Sequence, residues 1–228
     1  MPENQSAGGR SKFRRLKEEA LTLLKTRHKE QIVAWADSNR SAIRALNSLL
    51  FHPEPLVRWR AAEAIGWSAA AVAARDMEDV RDLVRRFFWM MNDESGNLCR
   101  QSPEAIAEIL VNVPSLIGRF GKMLASFLNE EPFEVGVRLA LARIATPGRL
   151  EAEEIGTKLV DSLSDQNPEI RAASFLALSG INRETAALKA PSLADDSATI
   201  EIYDFDSGQM IKKSMAQMAQ ELIGRTNR

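Results

Sequence analysis

Apolar residues recur every three or four positions along most of this chain, which is the spacing that places them on one side of an α-helix. Short polar segments containing proline or glycine separate these stretches, and such segments favour turns. The pattern predicts an all-α protein with a polar, disordered N-terminus over residues 1–11. The predicted helices cover residues 12–36 as one or two helices, then 42–51, 55–74, 77–91, 98–111, 115–128, 135–145, 151–163 and 169–178.

The C-terminal segment breaks the helical pattern. Residues 199–203 alternate and are rich in β-formers, Asp206-Ser207-Gly208 favours a turn, and residues 210–213 can return as a second strand. We therefore predict a β-hairpin, followed by a short helix over residues 214–223. Two roles are open for the hairpin: a cap that covers the last helical pair, or an exposed strand that pairs with a partner.

The predicted helices form pairs that recur about every 33 to 42 residues, as in an α-solenoid. The second helices carry the repeat most clearly, because residues 57–66 (VRWRAAEAIG) align without a gap with residues 170–179 (IRAASFLALS). Each of these segments follows a polar turn that contains proline. Weaker matches lie at residues 97–109, where Glu104-Ala105-Ile106 answers Glu63-Ala64-Ile65, and at residues 135–145.

Over residues 40–182 these segments resemble HEAT-repeat proteins of the phycobilisome-lyase-type subclass, whose repeat reads Asp/Asn-Pro-x-Val-Arg-x-x-Ala-Ala-x-Ala-Leu-Gly. The resemblance implies an α–α solenoid of HEAT-like repeats over residues 12–183 and a C-terminal cap over residues 184–228. It does not define an activity, because the subclass includes lyases, scaffolds and many bacterial members without an assigned role.

Composition excludes several kinds of chemistry. The 228 residues carry 30 basic and 31 acidic side chains and a net charge of −1, so no overall field attracts nucleic acid or anionic lipid. A single cysteine, Cys99, excludes an internal disulfide and fits a reducing compartment. No apolar run reaches the ~20 residues that span a bilayer, and we expect a cytoplasmic protein without a membrane segment.

Candidate catalytic and cofactor residues are few. Cys99 stands before Arg100, so it is either a low-pKa thiolate at a helix start or, as we favour, a small buried apolar side chain. The chain has no phosphate-binding glycine motif, and only two histidines, neither followed by glutamate as in HEAT-repeat iron hydroxylases. We therefore expect no catalytic set, no metal and no cofactor.

A basic stretch near the N-terminus provides a possible nucleic-acid contact, since cations on one helix can meet phosphates. No second basic stripe completes a groove, and a solvated helix face is the favoured interpretation. The eight cations are Arg10, Lys12, Arg14, Arg15, Lys17, Lys25, Arg27 and Lys29, opposed by Glu18 and Glu19.

The helix predicted over residues 55–74 carries two tryptophans and a carboxylate four positions apart, away from its small apolar stripe. The alignment of Glu63 with Glu104 extends this row to the next helical pair. In solenoids of the resembled family the second helices line the concave surface, so we expect a groove for a protein or peptide. Its expected lining is Trp59, Glu63, Trp67, Arg100 and Glu104, with Asn92, Glu94 and Asn97 at its edge.

A structural interpretation of the same residues is also open. The two indole rings would then fill gaps between repeats, and the two glutamates would form ion pairs with Arg60 or Arg100. Polar residues of the segment 92–97 would only cap the following helix.

Three classes of function remain. We favour a non-catalytic scaffold or adaptor that holds a protein or peptide in the groove. The alternatives are a small-ligand or chromophore-handling subunit similar to lyases, which requires a closed apolar pocket, and a nucleic-acid binder that uses the N-terminal basic helix. The sequence does not define the oligomeric state.

Overall fold

The chain forms two compact helical units, which divide between Val113 and Pro114. The computed structural model describes residues 4–92, 98–145 and 152–226. Within the described residues, the first unit contains six helices: α1 (Asn4–Thr26), α2 (Lys29–Ser38), α3 (Ala42–Leu49), α4 (Pro55–Ala73), α5 (Met77–Met91) and α6 (Ser102–Asn112).

The second unit contains further helices and a small sheet. Short 3-10 helices cover Pro114–Leu116 and Ser162–Ser164. The remaining elements are α7 (Ile117–Ala125), α8 (Glu134–Ile144), α9 (Ala152–Asp161), α10 (Pro168–Ile181), α11 (Arg183–Leu193), β1 (Thr199–Asp204), β2 (Gln209–Ser214) and α12 (Met215–Thr226). The prediction of a mostly helical protein with a small antiparallel sheet near its C-terminus is confirmed.

Two boundaries near the N-terminus differ from the prediction. Helix α1 begins at Asn4, whereas the sequence predicted disorder up to residue 11. Adding a residue to an existing helix is easier than nucleating one, so α1 extends into the polar segment. The stretch 12–36 forms two helices, because Arg27 adopts a left-handed conformation (φ 56°) and ends α1.

Two further differences lie later in the chain. Helix α6 begins at Ser102, later than the predicted residue 98, with Pro103 in its first turn, where a missing N–H costs no hydrogen bond. Helix α11 was not predicted, because its buried stripe of Ala186, Ala190 and Leu193 is weak beside the exposed Leu188, and because it contains Pro191. Its start is fixed by Asn182, whose side chain accepts a hydrogen bond from the Thr185 N–H at 3.0 Å.

Helix α4 lies at the centre of the first unit and packs against α6, α3, α2, α5 and α1. Two contacts define its direction relative to α6. Arg58 Nε donates to Gln101 Oε1 at 3.3 Å, and about two turns further along both helices Gly66 lies against Glu108. The two helices therefore run parallel. A Cβ added at Gly66 would lie 2.5 Å from the Glu108 carbonyl oxygen, so the absence of a side chain permits this close approach.

The second unit contains a similar parallel pair, formed by α8 and α10. Arg138 Nε donates to Ser174 Oγ at 2.8 Å, and further along both helices Gly180 lies against Ala145. Large aromatic side chains fill the core of this unit: Phe120, Phe133 and Phe175.

The two segments that align in sequence also share their hydrogen bonds. Arg58 NH1 donates to the carbonyls of His52 and Pro53 at 2.9 and 3.0 Å. The aligned Arg171 NH1 donates to the corresponding carbonyls, Asp165 and Gln166, at 2.8 and 3.2 Å. The internal repeat inferred from the sequence is thus a structural repeat of the turn that precedes α4 and α10.

The C-terminal hairpin packs on α10, and α12 packs on α10 and α11. Its strands are joined by a turn in which Gly208 has φ 66°, a conformation that favours glycine. Arg171 on α10 donates to both carboxylate oxygens of Asp196, whose Oδ1 accepts from the Ala198 N–H just before β1. These contacts agree with the predicted packing of the hairpin on the last helical pair.

Candidate functional site

The predicted row on α4 is buried at two of its three positions. Trp59 is 9% exposed and Glu63 is 2% exposed, whereas Trp67 is half-buried. Helix α4 is enclosed on most sides, so four-residue spacing does not produce an open stripe. A partner could touch Trp67 directly but not the Glu63 carboxylate.

Glu63 is held in the interior by Arg27, which lies in the turn between α1 and α2. Arg27 Nε and NH2 donate to the two Glu63 oxygens at 2.7 and 2.6 Å, which is a bidentate ion pair. The sequence suggested Arg60 or Arg100 as the partner of Glu63. Arg60 instead donates to the carbonyls of Leu24 and Lys25 at the end of α1, where a cation satisfies free carbonyl groups.

Trp67 lies beneath two cations. The Arg27 guanidinium carbon is 5.9 Å from the indole centroid, and the Lys29 ammonium is 6.0 Å from it. Both distances are within the range of cation–π attraction. Lys29 is exposed to solvent, so the indole and the ammonium form part of the surface of the first unit.

The same surface continues along α2 and α4. Lys29 lies over Trp67, and Asp37 forms an ion pair with Arg75. Because both pairs have the same separation along the sequence, α2 and α4 run parallel. From this register we infer that Val33 lies near Ala71, and both residues are half-buried. We call the group Lys25, Arg27, Lys29, Arg60 and Trp67 the Trp67 patch.

Helix α6 does not offer an open surface at the predicted position. Every residue from Gln101 to Leu110 is buried, including Glu104 at 7% exposure and Glu108 at 1%. Burial raises the pKa of the Glu104 carboxyl to about 7, although the nearby Arg58 guanidinium lowers it. Within the described residues, Glu104 Oε2 and Gln101 Nε2 have no hydrogen-bond partner.

Of the other predicted groove residues, the structure describes Arg100 and Asn92. Arg100 and Asn92 are exposed. Asn92 ends α5, where its Nδ2 donates to the Phe88 carbonyl at 2.8 Å. Glu94 and Asn97 lie outside the described residues.

Cys99 has the character of a buried apolar residue. It is fully buried, and burial raises the pKa of its thiol. A raised pKa opposes thiolate formation, so the interpretation as an activated nucleophile receives no support.

Two surface depressions of the second unit are small and have polar residues at their edges. One of about 180 Å³ is lined by residues of α7 and α9, and one of about 110 Å³ by residues of α10, β2 and α12. Pockets for drug-sized ligands usually reach about 300 to 1,000 Å³. Neither depression includes a residue of the predicted groove.

Sequence reasoning missed the role of Arg27 and the exposure of Trp89. Arg27 was counted only as part of a basic stretch, and no local signal links it to Glu63. Trp89 on α5 is 69% exposed, although its apolar neighbours in the sequence suggested a buried position.

Among the described helices, none is sufficiently long and apolar to cross a membrane.

Fold and site together define a mostly helical protein of two compact units, with paired parallel helices and a small C-terminal sheet. No protein-family model matches the chain. A protein of Archaeoglobus fulgidus described only as uncharacterized is 28% identical over 193 residues, which cover 78% of this chain and 93% of that protein. The crystal structure of an engineered protein has a TM-score of 0.55, with 17% identity, over 92% of this chain and 90% of that one. This likeness concerns the fold alone.

Proposed function

We propose that the protein is a non-catalytic binding scaffold, built as a solenoid of HEAT-like helical pairs, which holds a segment of a protein partner against the α2–α4 surface. The observation that supports this function is the half-buried Trp67 ring beneath two cations. Aromatic and arginine side chains dominate the energetics of protein interfaces, because rings contribute area and guanidinium groups contribute direction.

The buried residues of the predicted groove have a supporting role in this proposal. Glu63 binds Arg27 from below, which fixes the guanidinium beside Trp67. Arg60 fixes the end of α1 through two carbonyls, which positions Lys25. The partner-facing groups are thus pre-organised, which lowers the entropy cost of binding.

A lyase-like subunit that handles a small ligand or chromophore is less well supported. That function needs an enclosed apolar pocket beside the tryptophans. Two depressions of the second unit, of about 110 and 180 Å³, are small for such a ligand and contain no tryptophan.

The test compares two tryptophan variants of the full chain. Trp67→Ala removes the half-buried ring, and Trp89→Ala removes an exposed ring on α5 as the matched control. Both variants, and the wild type, are used for affinity purification from the native host with quantitative mass spectrometry. We expect a specific partner with the wild type and with Trp89→Ala, and at least tenfold less of it with Trp67→Ala.

A second variant separates binding from folding. Lys29→Glu changes an exposed side chain and should leave the circular dichroism spectrum and the melting temperature unchanged. It should nevertheless reduce recovery of the same partner. Recovery at the wild-type level with both Trp67→Ala and Lys29→Glu would overturn the proposal, as would a loss confined to Trp89→Ala.

A further inference from the structure

We propose that the Trp67 patch binds an acidic peptide segment, in which one or two carboxylates face the lysines and a neighbouring apolar side chain lies on the indole. This inference rests on the proposed function, and it adds the chemical class of the partner. The supporting observations are the positive charge of the patch and the solvent exposure of its lysines.

The charge of the patch is positive although the whole chain is nearly neutral. Two basic side chains, Arg27 and Lys29, lie over the indole. Lys25 and Arg60 lie at the adjacent end of α1, where Arg60 donates to the Leu24 and Lys25 carbonyls. The Glu63 carboxylate beside them is 2% exposed and is already bound by Arg27, so it offers little to a ligand. Glu30, exposed in the first turn of α2, is an acidic neighbour of Lys29.

The exposed lysines of the patch differ from Arg14 and Arg15 of α1, which form ion pairs. Arg14 and Arg15 lie 3.6 and 3.3 Å from Glu18 and Glu19. Lys25 and Lys29 are exposed and form no ion pair among the described residues. A carboxylate placed beside either lysine gains charge complementarity without breaking an ion pair of the described residues.

The shape of the surface favours a peptide over nucleic acid. A phosphate backbone requires a continuous track of cations, but glutamates interrupt the basic stretch of α1. Beyond Trp67 the surface becomes apolar at Val33 and Ala71, and it ends at the Asp37–Arg75 pair. An extended segment with acidic and apolar side chains matches this order.

The experiment measures fluorescence anisotropy of labelled probes with the full-length protein. The probes are a peptide that alternates glutamate and leucine, the same peptide with lysine in place of glutamate, and single-stranded oligothymidylate. We expect binding of the acidic peptide alone. We also expect Lys29→Glu to weaken it at least tenfold, with Arg86→Glu, an exposed arginine on α5, as the charge-matched control that changes it less than twofold.

Three results would overturn the acidic-peptide proposal: tighter binding of oligothymidylate, equal losses in Lys29→Glu and Arg86→Glu, or no binding of the acidic probe. The tests also distinguish the two proposals. If Trp67→Ala loses its cellular partner but the acidic probe does not bind, the class of partner is wrong and the scaffold stands. If the acidic probe binds but Trp67→Ala keeps every cellular partner, the proposed function fails.

Discussion

Glu63 shows how a charge is kept in the interior of the first unit. Its side chain is 3% exposed, and both of its oxygens accept hydrogen bonds from Arg27. A buried carboxylate without such a partner would lose its hydration with no compensation. The pair therefore joins the α1–α2 turn to α4, and it also places the guanidinium beside Trp67.

Replacement of Arg27 by alanine should remove the bidentate ion pair that holds this carboxylate. We expect the free energy of unfolding to fall by about 3 kcal/mol, which is the usual cost of breaking a buried ion pair from one side. Urea denaturation measures the change. Arg75→Ala is the matched control, because its pair with Asp37 is exposed and should contribute less than about 1 kcal/mol. Similar losses in both variants would contradict the assigned role of burial.

Glu104 predicts a dependence of stability on pH. Its pKa is about 7 in the folded protein, against 4.5 for an unperturbed glutamate, so the folded state keeps the proton to higher pH. Stability is therefore greatest below about pH 4.5 with respect to this group, and it decreases as the pH rises through 7, by up to about 3 kcal/mol.

The Glu104→Gln variant should remove this dependence, because glutamine does not ionise. We expect the variant to gain stability relative to the wild type between about pH 5 and pH 8, measured by urea unfolding at each pH. Parallel stability curves for the two proteins would show that Glu104 is not the titrating group.

At the scale of elements, the close packing of α4 on α6 depends on Gly66. A Cβ there would lie 2.5 Å from the Glu108 carbonyl oxygen and 2.8 Å from the Glu108 Cβ. Backbone atoms cannot move aside as a flexible side chain does. The small residue at this position is thus required by the helix pair and not by a turn.

Gly66→Ala should lower the melting temperature, because overpacking costs about 1 to 3 kcal/mol and exceeds the gain in helix propensity. Gly118→Ala on α7 is the control. It has nothing within 4 Å of the added Cβ, and it should raise stability by about 0.5 to 1 kcal/mol. Stabilisation by Gly66→Ala would contradict the close approach of the two helices.

Elements were predictable where local chemistry and tertiary packing agree. Proline at the start of α4 and the β-formers of the hairpin are local signals, and both elements are present. Helix α11 is capped by Asn182 and packs against α12 and α10. Its buried positions are two alanines and Leu193, and the exposed Leu188 and the internal Pro191 hide their spacing in the sequence.

At the scale of the molecule, the equivalent arginines Arg58 and Arg171 serve the two units in the same way. Each donates to two carbonyls of the turn that precedes its helix. Arg58 also donates to the Gln101 side chain, and Arg171 to the Asp196 carboxylate. A guanidinium that satisfies several acceptors contributes more than a single surface pair.

The single variants Arg58→Ala and Arg171→Ala should each lower the free energy of unfolding by about 1 to 2 kcal/mol. The two arginines share no hydrogen-bond partner among the described residues, so the double variant should lose the sum of the two effects within about 0.5 kcal/mol. Chemical denaturation of all three variants tests this expectation. A strongly non-additive result would show coupling that the separate hydrogen-bond sets do not contain.

The sequence by itself determined the helical class, most helix positions, the hairpin and the internal repeat, because periodicity, proline and turn residues act over a few neighbouring positions. Only the tertiary structure decided which side chains face solvent. Helix α4 is surrounded by five other helices, so Trp59 and Glu63 are buried while Trp67 reaches the surface. The partner of Glu63 comes from the α1–α2 turn, and a contact between residues so distant in sequence arises only when the helices pack.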